Sequence, residues 1–385
     1  MKVYLDNAAT TKLHPKVYEA MLPYLKENFG NPSSIHSFGR KVRVVIEESR
    51  EIVANSINAD PSEIYFVSNG TEANNFPIFG IAKTEFNDSG KNHIITSIVE
   101  HQCVLEPFQK LAEFGFTYDF IPVINNGEID HAELAKKISN STNLVSLIHI
   151  NNETGAVNHL KQISKILYDK KAYLHTDAVQ SYGKIKIDVK ELGVDSLSAS
   201  AHKFYGPKGI GFVYGKSGTP LSPLIYGGSQ ERNRRGGTEN PAAIIGLAEA
   251  VKIAESEMVF NNQLVCDLRK SFVEGIKSID DKYLSINSNE NSSPYVISLT
   301  FSSEKYKNNA ESYLMFLDIN GIAASNGAAC TSGTLKPSHV ILGIGKSVED
   351  ANGTIRFSLA PYNTLEEIEY TLEVIAKMTK QFSKF

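Results

Sequence analysis

The sequence predicts an α/β fold: a large three-layer domain on a mainly parallel seven-stranded sheet, followed by a smaller α/β domain. Three observations carry that expectation. Short, nearly continuous apolar runs alternate with amphipathic stretches, as strands buried on both faces by helices require. The chain has 385 residues, more than one core usually organises. After about residue 255 the texture changes, and a long helical stretch leads into further strands.

The expected strands of the large sheet are "IYFVS" (64–68), "HIITS" (93–97), "FTYDFIPV" (116–123), "LVSLIHI" (144–150), "AYLHTD" (172–177), "VDSLSAS" (194–200) and "GIGFVYG" (209–215). Residues 101–114, 131–139 and 159–170 carry apolar residues at helical spacing between them. Beyond lie a helix over 243–278, a strand "YVISLTF" (295–301) and a closing amphipathic helix over 364–380, with "NSNENSSP" (287–294) as a polar turn. The expected division is 14–255 for the large domain, with 1–13 and 256–385 forming the smaller one.

Composition excludes several classes. With 42% hydrophobic and 21% charged residues the chain is an ordinary globular protein. A net charge of -4 argues against a nucleic-acid partner, which demands a clustered basic excess. No apolar run approaches the roughly 20 residues that span a bilayer. Asp6 and Asn7 interrupt the N-terminus before any signal-peptide core forms, so a cytoplasmic protein is expected.

Three cysteines, Cys103, Cys266 and Cys330, are too few and odd in number for a disulfide framework, and none forms a C-x-x-C pair. Cys266 stands beside Val265 and Leu268 and is expected to pack; the same is expected of Cys103. Cys330 lies among Gly, Ala, Ser and Thr without apolar periodicity, which suits a functional loop.

The chemistry gathers where the expected strands end, the place at which open α/β sheets bind ligands. Gly70 and Thr71 open a helix after the first strand, a ready anion site. His101 follows the second, Asn152 the fourth, Asp177 and Gln180 the fifth, and Ser200, His202 and Lys203 the sixth. Lys208 reads as a solvated turn residue. Lys203, preceded by small residues, reads as a desolvated amine of lowered pKa, which Schiff-base chemistry needs. A phosphate cradle, a carboxylate and such a lysine together fit pyridoxal phosphate. "GIGKS" (343–347) and "YGKS" (214–217) lack the first glycine of a P-loop.

The motifs "YLDNAATT" (4–11), "GTEANN" (70–75), "EHQCVLEP" (100–107), "NNETG" (151–155), "HTDAVQSYGK" (175–184), "SASAHKFYGPKGIG" (198–211), "GGSQERNRRGGTEN" (227–240), "NGAACTSG" (326–333) and "IRFSL" (355–359) occur in order along the chain. Together they resemble the cysteine desulfurases of the NifS/IscS type, class V pyridoxal phosphate enzymes of fold type I. The resemblance implies a homodimer that converts L-cysteine to L-alanine and leaves the sulfur on Cys330 as a persulfide.

It further implies Lys203 as the Schiff-base lysine, Asp177 as partner of the pyridine nitrogen, Gln180 as donor to the ring hydroxyl and His101 as the imidazole stacked on the ring. Gly70, Thr71, Ser200 and His202 would hold the phosphate, with Thr238 supplied by the other subunit. Asn152 and Arg356 would face the substrate. Cys330, on a loop over about 323–337, would be the nucleophile, helped by a protonated His101, and is a candidate to ligate an iron–sulfur cluster transiently. A sulfur-acceptor protein, either an iron–sulfur scaffold or a thiolation enzyme, would complete the partners. The alternatives are a class V aminotransferase, a selenocysteine lyase, and a non-catalytic sulfur or iron carrier.

Overall fold

The protein is described by a computed structural model covering residues 1–124, 127–327 and 336–385. Its strands are β1 (Val3–Tyr4), β2 (Ile64–Val67), β3 (His93–Ser97), β4 (Thr117–Ile121), β5 (Thr142–Ile148), β6 (Tyr173–Asp177), β7 (Ser196–Ser200), β8 (Gly211–Gly215), β9 (Leu284–Ile286), β10 (Val296–Phe301), β11 (Ile322–Ala323) and β12 (Thr354–Ser358). Seven form one sheet in the order β2-β8-β7-β6-β5-β3-β4. β8 runs antiparallel to both neighbours, and the other six point the same way.

Each of the seven falls where an apolar run predicts it. The third expected strand stops at Ile121, because Pro122 has no N–H to extend the ladder. The fourth begins earlier than its apolar run suggests, at Thr142, a residue also fully buried.

Both faces of this sheet are covered, as neighbouring residues of single strands show. Ile95, Val145 and Phe212 belong to a core with the helices Ser37–Ser56 and Pro241–Asp280. Ile94, Leu144 and Val213, one residue along, belong to a second core with the helices Gly70–Ser89 and Gln102–Ala112. Adjacent side chains on a strand point to opposite faces, so a sheet with two cores has helices on both sides.

A third core joins Val3 and Leu5 to residues between 265 and 378, around the antiparallel sheet β12-β10-β9. Helix Pro241–Asp280 serves two of these cores: Ala243–Val251 pack on the first, and Val265, Leu268, Phe272 and Ile276 on the third. Cys266 departs from expectation. One step of about 100° beyond Val265, it leaves the buried stripe and is exposed. No described helix is long and apolar enough to cross a membrane.

Candidate active site

The carboxyl ends of β2, β3, β5, β6 and β7 converge on a cavity of about 140 Å³. Eight of the residues singled out in the sequence line it. At the end of β2, Asn69 caps helix Gly70–Ser89 by accepting from Glu72 N at 2.9 Å, and Gly70 and Thr71 form the first turn on the cavity wall. The N–H groups of Gly70 and Thr71, at a helix start, have no partner within the helix and are donors at the cavity wall. A Cβ on Gly70 would lie 3.2 Å from Val179 Cγ2 and 3.4 Å from Ser200 Cβ, which explains the glycine where this helix meets β7. Ser200 Oγ is buried without a partner among the described residues. His202 lines the same wall, with Nδ1 3.1 Å from Thr10 Oγ1, and burial lowers its pKa to about 4.

At the end of β3, His101 is both a helix cap and a cavity residue. Its Nδ1 accepts from Cys103 N at 3.1 Å and lies 3.0 Å from Cys103 Sγ. A nitrogen that accepts carries no proton, so any proton on the neutral ring sits on Nε2. Burial lowers the His101 pKa as well. The expected protonated His101 is therefore disfavoured. Cys103, besides packing on a core, lines the cavity, and burial raises its pKa, which makes it a poor thiolate.

Asp177 ends β6. Its Oδ1 accepts from Val179 N at 2.9 Å and its Oδ2 from Asn74 Nδ2 at 2.8 Å. Burial, the largest influence, raises its pKa, while these donors and the nearby His101 and Lys203 oppose that rise. Gln180, also on the wall, donates from Nε2 to Ala8 O at 2.8 Å.

Lys203 leaves β7 in a single 3-10 turn, Ala201–Lys203, and Tyr205 then adopts a left-handed φ of 66°. Its Nζ donates to Ala8 O at 2.5 Å and Ala9 O at 2.7 Å, beside the cavity and not on its wall. Burial, and after it the charge of Arg356, lower its pKa to about 8. The expected depressed amine is present.

Asn152 and Arg356 meet: Arg356 Nη1 donates to Asn152 O at 3.0 Å and Nη2 to Asp6 Oδ1 at 2.9 Å. Arg356 Nε and Asn152 Oδ1 are buried without partners among the described residues. Thr238 is not on the cavity; it lines a neighbouring depression with Gly209, Ile210 and Arg235. Cys330 lies outside the described residues.

Four residues of the site carried no role in the sequence reading: Asp6, Asn74, Glu100 and Lys184. Glu100 is wholly buried, accepts from Ser97 Oγ at 2.7 Å and Ile148 N at 3.0 Å, and burial raises its pKa to about 8. Asn74 and Lys184 each stand four residues beyond a residue that was singled out, Gly70 and Gln180. Both also lie inside the motifs "GTEANN" (70–75) and "HTDAVQSYGK" (175–184), which gave neither of them a role.

A three-layer α/β sheet with a desolvated lysine, a carboxylate and a helix N-terminus at its strand ends defines a fold-type I transferase. The chain matches the Aminotransferase class-V family over residues 3–371. It is 47% identical over 381 residues to a cysteine desulfurase IscS from Dictyoglomus turgidum, covering 99% of this chain and 95% of that protein. A solved NifS-like protein superposes with a TM-score of 0.91 at 36% identity, covering 99% of this chain and 100% of that one. A second, SspA in complex with cysteine, gives 0.81 at 34% identity over 94% of this chain and 100% of that one. The chain belongs to the class-V aminotransferase family, among the cysteine desulfurases of the IscS and NifS type.

Proposed function

We propose that the protein converts L-cysteine to L-alanine with pyridoxal phosphate as cofactor, collects the sulfur on Cys330 as a persulfide and passes it to an acceptor protein. The observation that carries this reading is Lys203, an amine of pKa about 8 held within electrostatic reach of Asp177 and Arg356. The unpartnered groups of the cavity fit the cofactor. Ser200 Oγ has no partner among the described residues, and the N–H groups of Gly70 and Thr71 start a helix and so have none within it, as a phosphate site requires. Asp177 has oxygens free to accept more, and a cationic ring nitrogen beside it would offset the cost of its burial. Gln180 and His101 line the same cavity, which supports their reading as partners of the ring hydroxyl and the ring face.

When bound, pyridoxal phosphate supplies the electron sink for negative charge on the substrate carbons. Lys203 is the base that takes the Cα proton, for which a pKa near the working pH is suited. Arg356, anchored by Asp6 and Asn152 O, keeps N–H groups on Nε, Nη1 and Nη2 for the substrate carboxylate. The Cys330 thiolate attacks the substrate sulfur. The carbon–sulfur bond breaks with its electrons on Cβ, which takes a proton to become the alanine methyl group, and a sulfur–sulfur bond remains on Cys330. The neutral His101, with Nε2–H available, is a proton carrier for these exchanges. In this reading 14–255 holds the cofactor, 1–13 with 256–385 carry Arg356 and Cys330, and Thr238 reaches the cavity of a second copy in a cytoplasmic homodimer.

Alanine release measured beside persulfide mapping tests the proposal. Wild type incubated with cysteine and no reductant should gain one sulfur on the peptide that contains Cys330 and release alanine. Cys330→Ser should bind cysteine and release almost none. Equal alanine release by the two proteins would overturn the reading in which Cys330 takes the sulfur, and no alanine from either would leave an aminotransferase, whose chemistry ends at the C–N bond.

A further inference from the structure

We propose that Lys184 is a positioning residue that fixes the side-chain amide of Gln180 with its NH2 end committed to the cavity side, an inference that rests on reading the cavity as a pyridoxal phosphate site. Lys184 is only 7% exposed. Its ammonium donates to Gln180 Oε1 at 2.9 Å and lies 5.3 Å from the centre of the Tyr295 ring. Among the described residues no carboxylate pairs with it.

A buried ammonium without a counter-charge costs stability, so packing alone does not account for it. The charges facing it, Lys203 and Arg356, are also positive, and with burial as the larger cause they lower its pKa to about 7.

An ammonium has donors only, whereas an amide has an acceptor end and a donor end of nearly equal size. While protonated, Lys184 therefore obliges Oε1 to face it, and Nε2 must face the other way. Nε2 gives one hydrogen to Ala8 O at 2.8 Å, and its second has no partner among the described residues. Ala8 O favours the same orientation, but it is shared with Lys203 at 2.5 Å and belongs to a segment remote in sequence. Lys184 lies in the turn that directly follows that of Gln180, so it holds the amide from within one local segment. Without it, the flipped amide would present oxygen to the site and lose a donor to any acceptor bound there.

The test is a double-mutant cycle read as the dissociation constant of pyridoxal phosphate for the cofactor-free protein, with melting temperature measured for each variant. Lys184→Met should weaken binding about tenfold, the equivalent of one hydrogen bond, without lowering the melting temperature. Lys184→Arg, which keeps a donor, should bind closer to wild type than Lys184→Met does. In a Gln180→Ala background, Lys184→Met should change the constant by less than about twofold, because the group it acts through is gone. An equal loss in both backgrounds, or no loss in either, would overturn the proposal. Failure of wild type itself to bind would overturn the reading of the cavity, a distinct outcome visible before any variant is made.

Discussion

Lys203 reaches back from β7 to two carbonyls of the N-terminal segment, and that burial brings its pKa to about 8. In the cofactor-free protein it should react with an amine reagent with a half-maximal rate near pH 8, well below the behaviour of an exposed lysine. Lys203→Arg keeps a cation but cannot act as a base, and should reduce turnover by at least about 100-fold with the melting temperature nearly unchanged. Glu100 gives a prediction of the opposite kind. Folded, it binds its proton up to about pH 8, whereas the unfolded chain releases it near the ordinary value of 4.5. The folded state binds more protons across that window, so it loses stability as pH rises from about 4.5 to 8. Glu100→Gln cannot ionise. It should melt like wild type near pH 4.5 and be more stable by several kcal/mol, on the order of 4, at pH 8. Parallel melting curves at both pH values would refute the buried, protonated Glu100.

Elements were legible in the sequence to the extent that their signal is local. A strand covered on both faces carries nearly continuous apolar residues, so β2 (IYFV) and β8 (GFVYG) announce themselves, whereas β5 (TNLVSLI) and β7 (SLSAS) mix buried polar residues into the run; each chemical residue placed just after such a strand arrives at the strand ends. Partners far apart in sequence left no such trace. Asp6 and Arg356 are 350 residues apart, and Arg50 and Glu231 are 181 apart. The second pair governs the loop before Thr238. Glu231, Arg232 and Asn233 all have left-handed φ, at 44°, 55° and 62°, a run that costs energy for residues with a Cβ. Holding it there, Arg50 grips Glu231 through bonds of 2.7 and 3.0 Å, and Phe66 N donates to the same carboxylate at 2.9 Å. Removing Glu231 takes away the buried counter-charge and leaves Arg50 with Ile64 O at 2.8 Å and the half-exposed Glu47, 3.2 Å from its Nε. Glu231→Ala should destabilise the protein by about 3 kcal/mol in denaturant titration, the low end for breaking a buried pair because Glu47 remains. A loss below about 1 kcal/mol would mean that the loop holds its conformation without the pair.

At the scale of the whole molecule, the chain carries surface that a lone copy does not explain. Ile35 is 90% exposed, Phe29 75% and Phe38 59%, and the rings of Phe29 and Phe38 lie 5.9 Å apart. Such clustered apolar side chains mark an interface more often than a free surface. Thr238, assigned to a phosphate by its motif, lines a depression separate from the cavity of its own chain. Both observations are met if two copies pack about a two-fold axis, burying the segment 29–38 and offering Thr238 across the interface. Light scattering should then give twice the 42.4 kDa of one chain. The double substitution Ile35→Asp with Phe38→Asp places charges on that patch and should yield a monomer. Because the monomer cannot borrow Thr238, its affinity for pyridoxal phosphate should fall by about tenfold, the scale of one lost hydrogen bond to a charged group. A single-chain mass for wild type, or a monomeric variant that binds the cofactor as tightly as wild type, would show that each chain completes its own site.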